Sequence, residues 1–334
     1  MACVVAGTAG CGHSDAAATA DAAAETAVAD AREDHGLPDV PPPEPWDGPR
    51  TLAETGLYAD PTKRTLATDV LAYSVKFELW ADGARKDRYV RIPKGAVIDV
   101  SDPDRWVFPV GTQVWKDFWV GERHLETRYV ERRAKGYRWV SFVWDASGTT
   151  AIATPEGATN VLGTGHDVPT IELCGNCHRG LDDEAVLGIG TVQISGTKSA
   201  SDLVALGALA AEPPKVDPPG TALDRQVLGY FHGNCGHCHN GYGLWSLVVP
   251  LRLRLRTVET TVETSSAWLT TRGMKTKHVM PGGVDIAIVP GDPDHSQLYL
   301  RMGLRDDYSM PPLGTKVVDT VAHAAVRAWI LGMK

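Results

Sequence analysis

The sequence predicts an α+β protein: an antiparallel β-rich N-terminal domain followed by a mainly α region. Three observations predict it. Between Thr65 and Thr154 apolar residues recur with a period of two, the pattern of strands with one buried face. Beyond Val168 the chain turns to short helices and loops around two Cys-x-x-Cys-His pentapeptides, Cys174-Gly-Asn-Cys177-His178 and Cys235-Gly-His-Cys238-His239. Two capped amphipathic segments follow in the C-terminal third.

Taken in chain order, residues 1–50 read as a leader and tether. "MACVVAGTAGCGHSD" is small and apolar, and Ala9-Gly10 before Cys11 resembles part of a bacterial lipoprotein cleavage box, so a membrane tether through a lipidated Cys11 is one expectation. Thr8 departs from that box and no Lys or Arg precedes it. Ser14 to Pro49 is rich in Ala, Asp, Glu and Pro, without the branched apolar residues that would offset ordering entropy.

Residues 55–160 are expected to form a Trp-rich, sandwich-like β domain. In "LAYSVKFEL" Leu71, Tyr73, Val75, Phe77 and Leu79 alternate with Ala72, Ser74, Lys76 and Glu78. Further strands are expected at Arg88 to Ile92, Val97 to Val100, Val114 to Val120, Leu125 to Arg132 and Trp139 to Trp144, divided by turns such as Lys135-Gly136. Trp80, Trp106, Trp115, Trp119, Trp139 and Trp144 are read as core and not as a ligand platform. His13, His35, His124 and His323 have no companion ligands and are read as surface residues.

Residues 161–223 hold the first pentapeptide, and 224–334 the second, with an insert at 241–290. Thr221 and Asp224 form a capping pair for a helix over 224–232, with Leu223, Val227 and Phe231 on one side. Asp319 caps a last helix closed by Gly332, with Val321, Ala325, Ala328 and Trp329 expected as its apolar stripe. In "PLRLRLRTV" Arg252, Arg254 and Arg256 alternate with leucines, read as the solvated face of a strand, or as partners for carboxylates.

Composition narrows the function. A net charge of −8 and a pI near 5.8 gain nothing from phosphate counterions, so nucleic acid is excluded as a partner. No apolar run approaches the length that crosses a bilayer. Four of six cysteines lie in the pentapeptides, which leaves no disulfide framework. Zinc-binding Cys-x-x-Cys pairs normally lie about 15 to 20 residues apart; Cys177 and Cys235 are 58 positions apart, and zinc gives no reason for the histidine after each pair. A redox dithiol needs no adjacent histidine either.

Covalent haem accounts for every element: two thiols take up the porphyrin vinyl groups and the next residue offers an imidazole to the iron. Two haem c groups are therefore expected, one at Cys174, Cys177 and His178, the other at Cys235, Cys238 and His239. Met310, stiffened by Pro311 and Pro312, is the expected sixth ligand of the second iron. For the first iron, Met280 before Pro281 is the leading choice beside His278, Met274 and His166, and an open position is the remaining one.

Residues 224–334, with Phe231 four residues before Cys235, the late Met310-Pro loop and Trp329 in the closing helix, resemble a class I cytochrome c domain. Together with "LWADGARKDRYVRIPKG", "WVFPVGTQVWKDFW", "HLETRYV" and "VSFVWDASGTTA", the stretch 55–334 resembles an exported bacterial dihaem c-type cytochrome family, and the 241–290 insert departs from it. The resemblance implies electron transfer with a redox partner protein in the periplasm or at the outer-membrane surface. The alternative is a dihaem peroxidase or oxidase working through an open first iron.

Overall fold

Alternating residues from Gln113 to Trp144 build the centre of the molecule, and a computed structural model describes residues 45–178, 185–241, 245 and 249–334. All but the last six residues of the expected leader and tether, with Cys3, Cys11, His13 and His35, lie outside the described residues. The fold is mixed α+β. One six-stranded antiparallel sheet runs in simple sequential order: β3 (Leu71–Tyr73), β4 (Arg85–Arg91), β5 (Gln113–Val120), β6 (Arg123–Arg132), β7 (Tyr137–Trp144) and β8 (Ala151–Ala153). The β5–β6 and β6–β7 turns place Gly121 and Gly136 at positive φ, which L side chains rarely adopt.

The two faces of this sheet differ because side chains alternate. One face carries Trp115, Tyr129, Val140 and Phe142, covered by Trp46, Leu52 and Leu57 and by Tyr58 of the small hairpin β1 (Tyr58–Asp60) and β2 (Thr65–Leu66). The other carries the row Val90, Val114, Val130 and Trp139, which meets helices α2 (Thr191–Ile194) and α3 (Lys198–Ala205) through Ile194, Ala200 and Leu203. Among the described residues no second large sheet lies opposite, so the expected sandwich is a single sheet covered by helices and loops. The first pentapeptide segment thus shares its core with the sheet.

One expected strand is absent and another is cut short, for physical reasons. Around Val97–Val100 only an isolated bridge joins Asp99 to Val107, and the Ile98 amide donates to the Ala208 carbonyl instead. The alternation in "LAYSVKFEL" is strand only as far as Tyr73. From Ser74 the chain leaves the sheet and becomes a strap across the helical region. The Ser74 amide donates to Ser199 Oγ, the Lys76 amide to the Gln193 carbonyl and the Phe77 amide to Gln193 Oε1. Further along, the Trp80 amide donates to Asn234 Oδ1, and Asp82 accepts the Lys316 and Val317 amides. Its alternate side chains Val75, Phe77 and Leu79 are half-buried, and among the described residues no strand pairs with this stretch.

The expected capping box forms: Thr221 and Asp224 cap α4 (Ala222–Asn234), where Asp224 also accepts from Trp329 Nε1 at 2.8 Å. Phe77 and its backbone lie against α4 where a Cβ on Gly229 would sit 2.2 Å from the ring and one on Gly233 2.7 Å from the Phe77 carbonyl oxygen. Only glycine admits the strap there. Asp319 caps the closing helix α7 (Thr320–Leu331) through the Ala322 amide. Its stripe is Ala322, Val326, Trp329 and Ile330; Val321, expected inside, is 71% exposed, so the true stripe is rotated by one residue from the expected one. Trp329 meets Phe231 edge to face at 5.8 Å. The insert adds α5 (Ser266–Thr271), whose Trp268 packs on Trp329 at 6.1 Å, and the hairpin β9 (Lys275–Met280) and β10 (Val284–Ile286) beside α6 (Gln297–Met302).

Four of the six tryptophans are core: Trp106, Trp115, Trp139 and Trp144 are buried, Trp80 and Trp119 half-buried. His124 is not on the surface. It is stacked between Trp119 at 4.0 Å and Trp144 at 4.4 Å, with Nε2 3.2 Å from Asp117 Oδ1. His323 is half-buried and stacks on Tyr299.

Candidate functional site

The first pentapeptide is wound into α1 (Ile171–His178). The Cys174 amide donates to the Thr170 carbonyl, and Trp139 of β7 donates to the Ile171 carbonyl at 2.8 Å, which fastens the helix to the sheet. Cys174 packs on the apolar sheet row, and the Trp139 ring lies 6.1 Å from that of His178. His178 Nδ1 lies 2.7 Å from the Ala185 carbonyl oxygen. A carbonyl can only accept, so Nδ1 carries the proton and Nε2 keeps its lone pair for a ligand.

The second pentapeptide follows α4 directly. The Cys235 amide closes the helix on the Phe231 carbonyl, those of Cys238 and His239 turn back to the Cys235 carbonyl, and the His239 carbonyl accepts from Leu253 and Arg254. Gly236 is required here, because a Cβ would stand 2.8 Å from the His232 carbonyl oxygen and 2.9 Å from Arg254 Cα. His239 Nδ1 is buried and has no hydrogen-bond partner among the described residues.

The two motifs abut, although 58 positions separate Cys177 from Cys235. Cys238 Sγ lies 4.0 Å from the Asn176 carbonyl oxygen, and Cys177 and Cys238 share a thiol hydrogen bond. That bond lowers the Cys177 pKa; with burial it raises that of Cys238. All four cysteines are free thiols. Burial pushes Cys174 and Cys235 up to about 12, the opposite of what a nucleophilic dithiol needs. Burial pulls His178 and His239 down to about 4, so both imidazoles are neutral near pH 7, the form that binds metal. Among the described residues, no three His, Cys, Asp or Glu side chains converge as a site for a bare ion.

Met310 is half-buried in the loop between α6 and α7, its amide donating to the Arg301 carbonyl. That loop is tied to the strap, since Trp80 Nε1 donates to the Val317 carbonyl at 2.8 Å. Met280 is buried at the end of β9, where it pairs with Val284 of β10. His278 and Met274 are exposed. His166 is committed elsewhere: Nε2 lies 2.8 Å from Glu126 Oε1, in the sheet domain. Arg252, Arg254 and Arg256 do not lie on a strand. Arg254 donates to the Asp104 carbonyl and Arg256 pairs with the Asp104 carboxylate, while Leu253 and Leu255 are buried.

Sequence reasoning passed over His237, Lys116 and Arg128. His237 lines a cleft with His232, Gly236, Ile189 and Arg254, and burial pulls it down to about 3, the charges of Lys116, Arg254 and His178 adding to the effect. Its place inside the second pentapeptide was the available signal. Lys116 and Arg128 carry no motif in the sequence; the sheet register sets them side by side on the face of Val114 and Val130, close enough to act on Cys174 and His178. Comparison with protein-family models, with curated proteins and with solved structures finds no match for this chain.

Proposed function

We propose that the chain is an exported dihaem c-type cytochrome that carries electrons between partner proteins. The observation that carries the reading is the pairing of free Cys-x-x-Cys thiols with neutral, half-buried imidazoles in two abutting motifs. The residues fit the group. Cys174 and Cys177 would hold one haem and His178 would ligate its iron; Cys235, Cys238 and His239 would do the same for the other, with Met310 as the second iron's sixth ligand. When bound, each group supplies one-electron exchange at iron.

The chain's own residues set the conditions of that exchange. The Ala185 carbonyl fixes the tautomer and orientation of His178 and raises its basicity. The helix pair α4–α7, closed by Phe231 and Trp329, packs against Cys235, and the Trp139 ring lies beside His178. The abutment of Cys177 and Cys238 brings the two attachment points together, so groups held at both motifs would stand close to each other. The crossing of α4 and α7 and the tied Met310 loop also support a cytochrome c-like C-terminal region. A redox protein in the periplasm or at the outer-membrane surface would be the partner, with Cys11 as a lipid tether.

The test is the intact mass and the visible spectrum of the full chain made in a host competent in cytochrome maturation. Two covalent haems per chain are expected. A colourless product with the mass of the bare polypeptide, or of polypeptide plus zinc, sinks the reading. Met310→Ala is expected to keep both haems and lower the second reduction potential.

A further inference from the structure

Next to the apolar row of the sheet, on the same face, lies a row of a different kind. Arg88 is opposite Lys116, and Lys116 is opposite Arg128, so three cations stand side by side on β4, β5 and β6. Directly opposed residues are about 4.5–5.5 Å apart at their Cβ atoms, and like charges there are destabilising. The outer two have partners. Arg128 grips Glu126 with Nε at 3.0 Å and Nη2 at 2.7 Å, and Arg88 reaches Glu78 at 3.2 Å, a carboxylate shared with Lys86 at 3.8 Å.

Lys116 is the exception. Its described contact is the Phe118 ring, 5.6 Å from the ammonium. Four cationic side chains, Lys86, Arg88, Lys116 and Arg128, thus face two carboxylates, Glu78 and Glu126, in a half-buried place. The row bears electrostatically on the first motif, because Arg128 and Lys116 act on both Cys174 and His178. Burial, with the charges of Arg128, Arg88 and Lys86 beside it and only Glu126 opposing them, pulls Lys116 down to about 7, so a further anion at the row would favour its charged form.

We propose that the Arg88–Lys116–Arg128 row is a dicarboxylate clamp that receives the two propionates of the haem attached at Cys174 and Cys177. The clamp rests on the haem reading above and assigns its first site an anchoring surface on the β domain. Arginine and lysine side by side suit carboxylates: a planar fork for each outer one and a mobile ammonium between them. Once an arriving carboxylate restores the charge of Lys116, the excess positive charge of the row equals that of two propionates.

The test compares wild type, Lys116→Met and Lys116→Arg as mature full chains, by haem count, spectroelectrochemical titration and resonance Raman of the propionate bending modes. Lys116→Met removes the charge at similar volume and is expected to keep two haems. It should lower the reduction equilibrium constant of the first haem about tenfold, which is 59 mV for one electron, and shift that haem's propionate modes. The second haem should stay put, and Lys116→Arg should restore the wild-type values. Two attached haems with unmoved potentials and modes in Lys116→Met would overturn the clamp alone. A first-haem spectrum that responds to added phosphate in wild type and not in Lys116→Met would overturn it too, by showing that the row takes a free anion. Wild type without haem would overturn the underlying reading together with the clamp.

Discussion

The two pentapeptides are alike in sequence and unlike in support. Cys174–His178 forms a short helix fastened to a sheet by Trp139, and its imidazole is oriented by a backbone carbonyl. Cys235–His239 hangs from the long capped helix α4, which is braced by α7, and the Nδ1 atom of its imidazole has no partner among the described residues. A helix of eight residues is too short to hold itself in water. The first motif therefore borrows its rigidity from the β domain, while the second receives it from helix–helix packing.

If that contrast is right, damage should stay local to the support that is removed. The largest effect is expected from Trp329→Ala, which removes the contacts with Phe231 and Trp268 and the bond to Asp224. It should cost about 3–5 kcal/mol in denaturant unfolding and disturb the second motif. Gly233→Val comes next: its Cβ would meet the Phe77 carbonyl oxygen, which is backbone and yields little, for a loss of about 1–3 kcal/mol. Equal stability in that variant would show that the strap does not bear on α4.

Acid should act on the first support. Burial raises the Glu126 pKa, but the charge of Arg128 and the hydrogen bonds from His166 and Arg128 outweigh it and hold the carboxyl at about 2, below its ordinary 4.5. A depressed carboxylate pKa stabilises the fold fully above 4.5 and loses that contribution as pH falls towards 2. Melting followed from pH 6 to 2 should show the loss in that window, and Glu126→Gln should flatten it. The smallest effect is expected from Trp139→Phe, which keeps a smaller aromatic ring in place and removes the bond to the Ile171 carbonyl, about 1 kcal/mol for that bond. Its mark should be on the first motif's spectrum and not on the second's.

Local chemistry was legible from the residues. The Thr221–Asp224 box, the Asp319 cap and strands β4 to β7 follow from side-chain period and capping geometry, and the structure has them. What depends on distant partners was not. The alternation in residues 71–79 is real, yet past Tyr73 it is satisfied by helices contributed from more than 100 positions downstream. The stripe of α7 was misphased because alanines are weak markers of a face, and only contact with Phe231 fixes the rotation. His124 lacked ligand companions in sequence, but two tryptophans and Asp117 enclose it in space.

The strap from Ser74 to Asp82 also makes the chain's distant parts hard to separate. Its main-chain hydrogen bonds stitch a seam to residues 193, 199 and 234, and Asp82 receives the amides of 316 and 317. A nick near Gly83 would leave two pieces still sewn together, whereas a fragment starting at residue 224 would expose an unfilled furrow over Gly229 and Gly233.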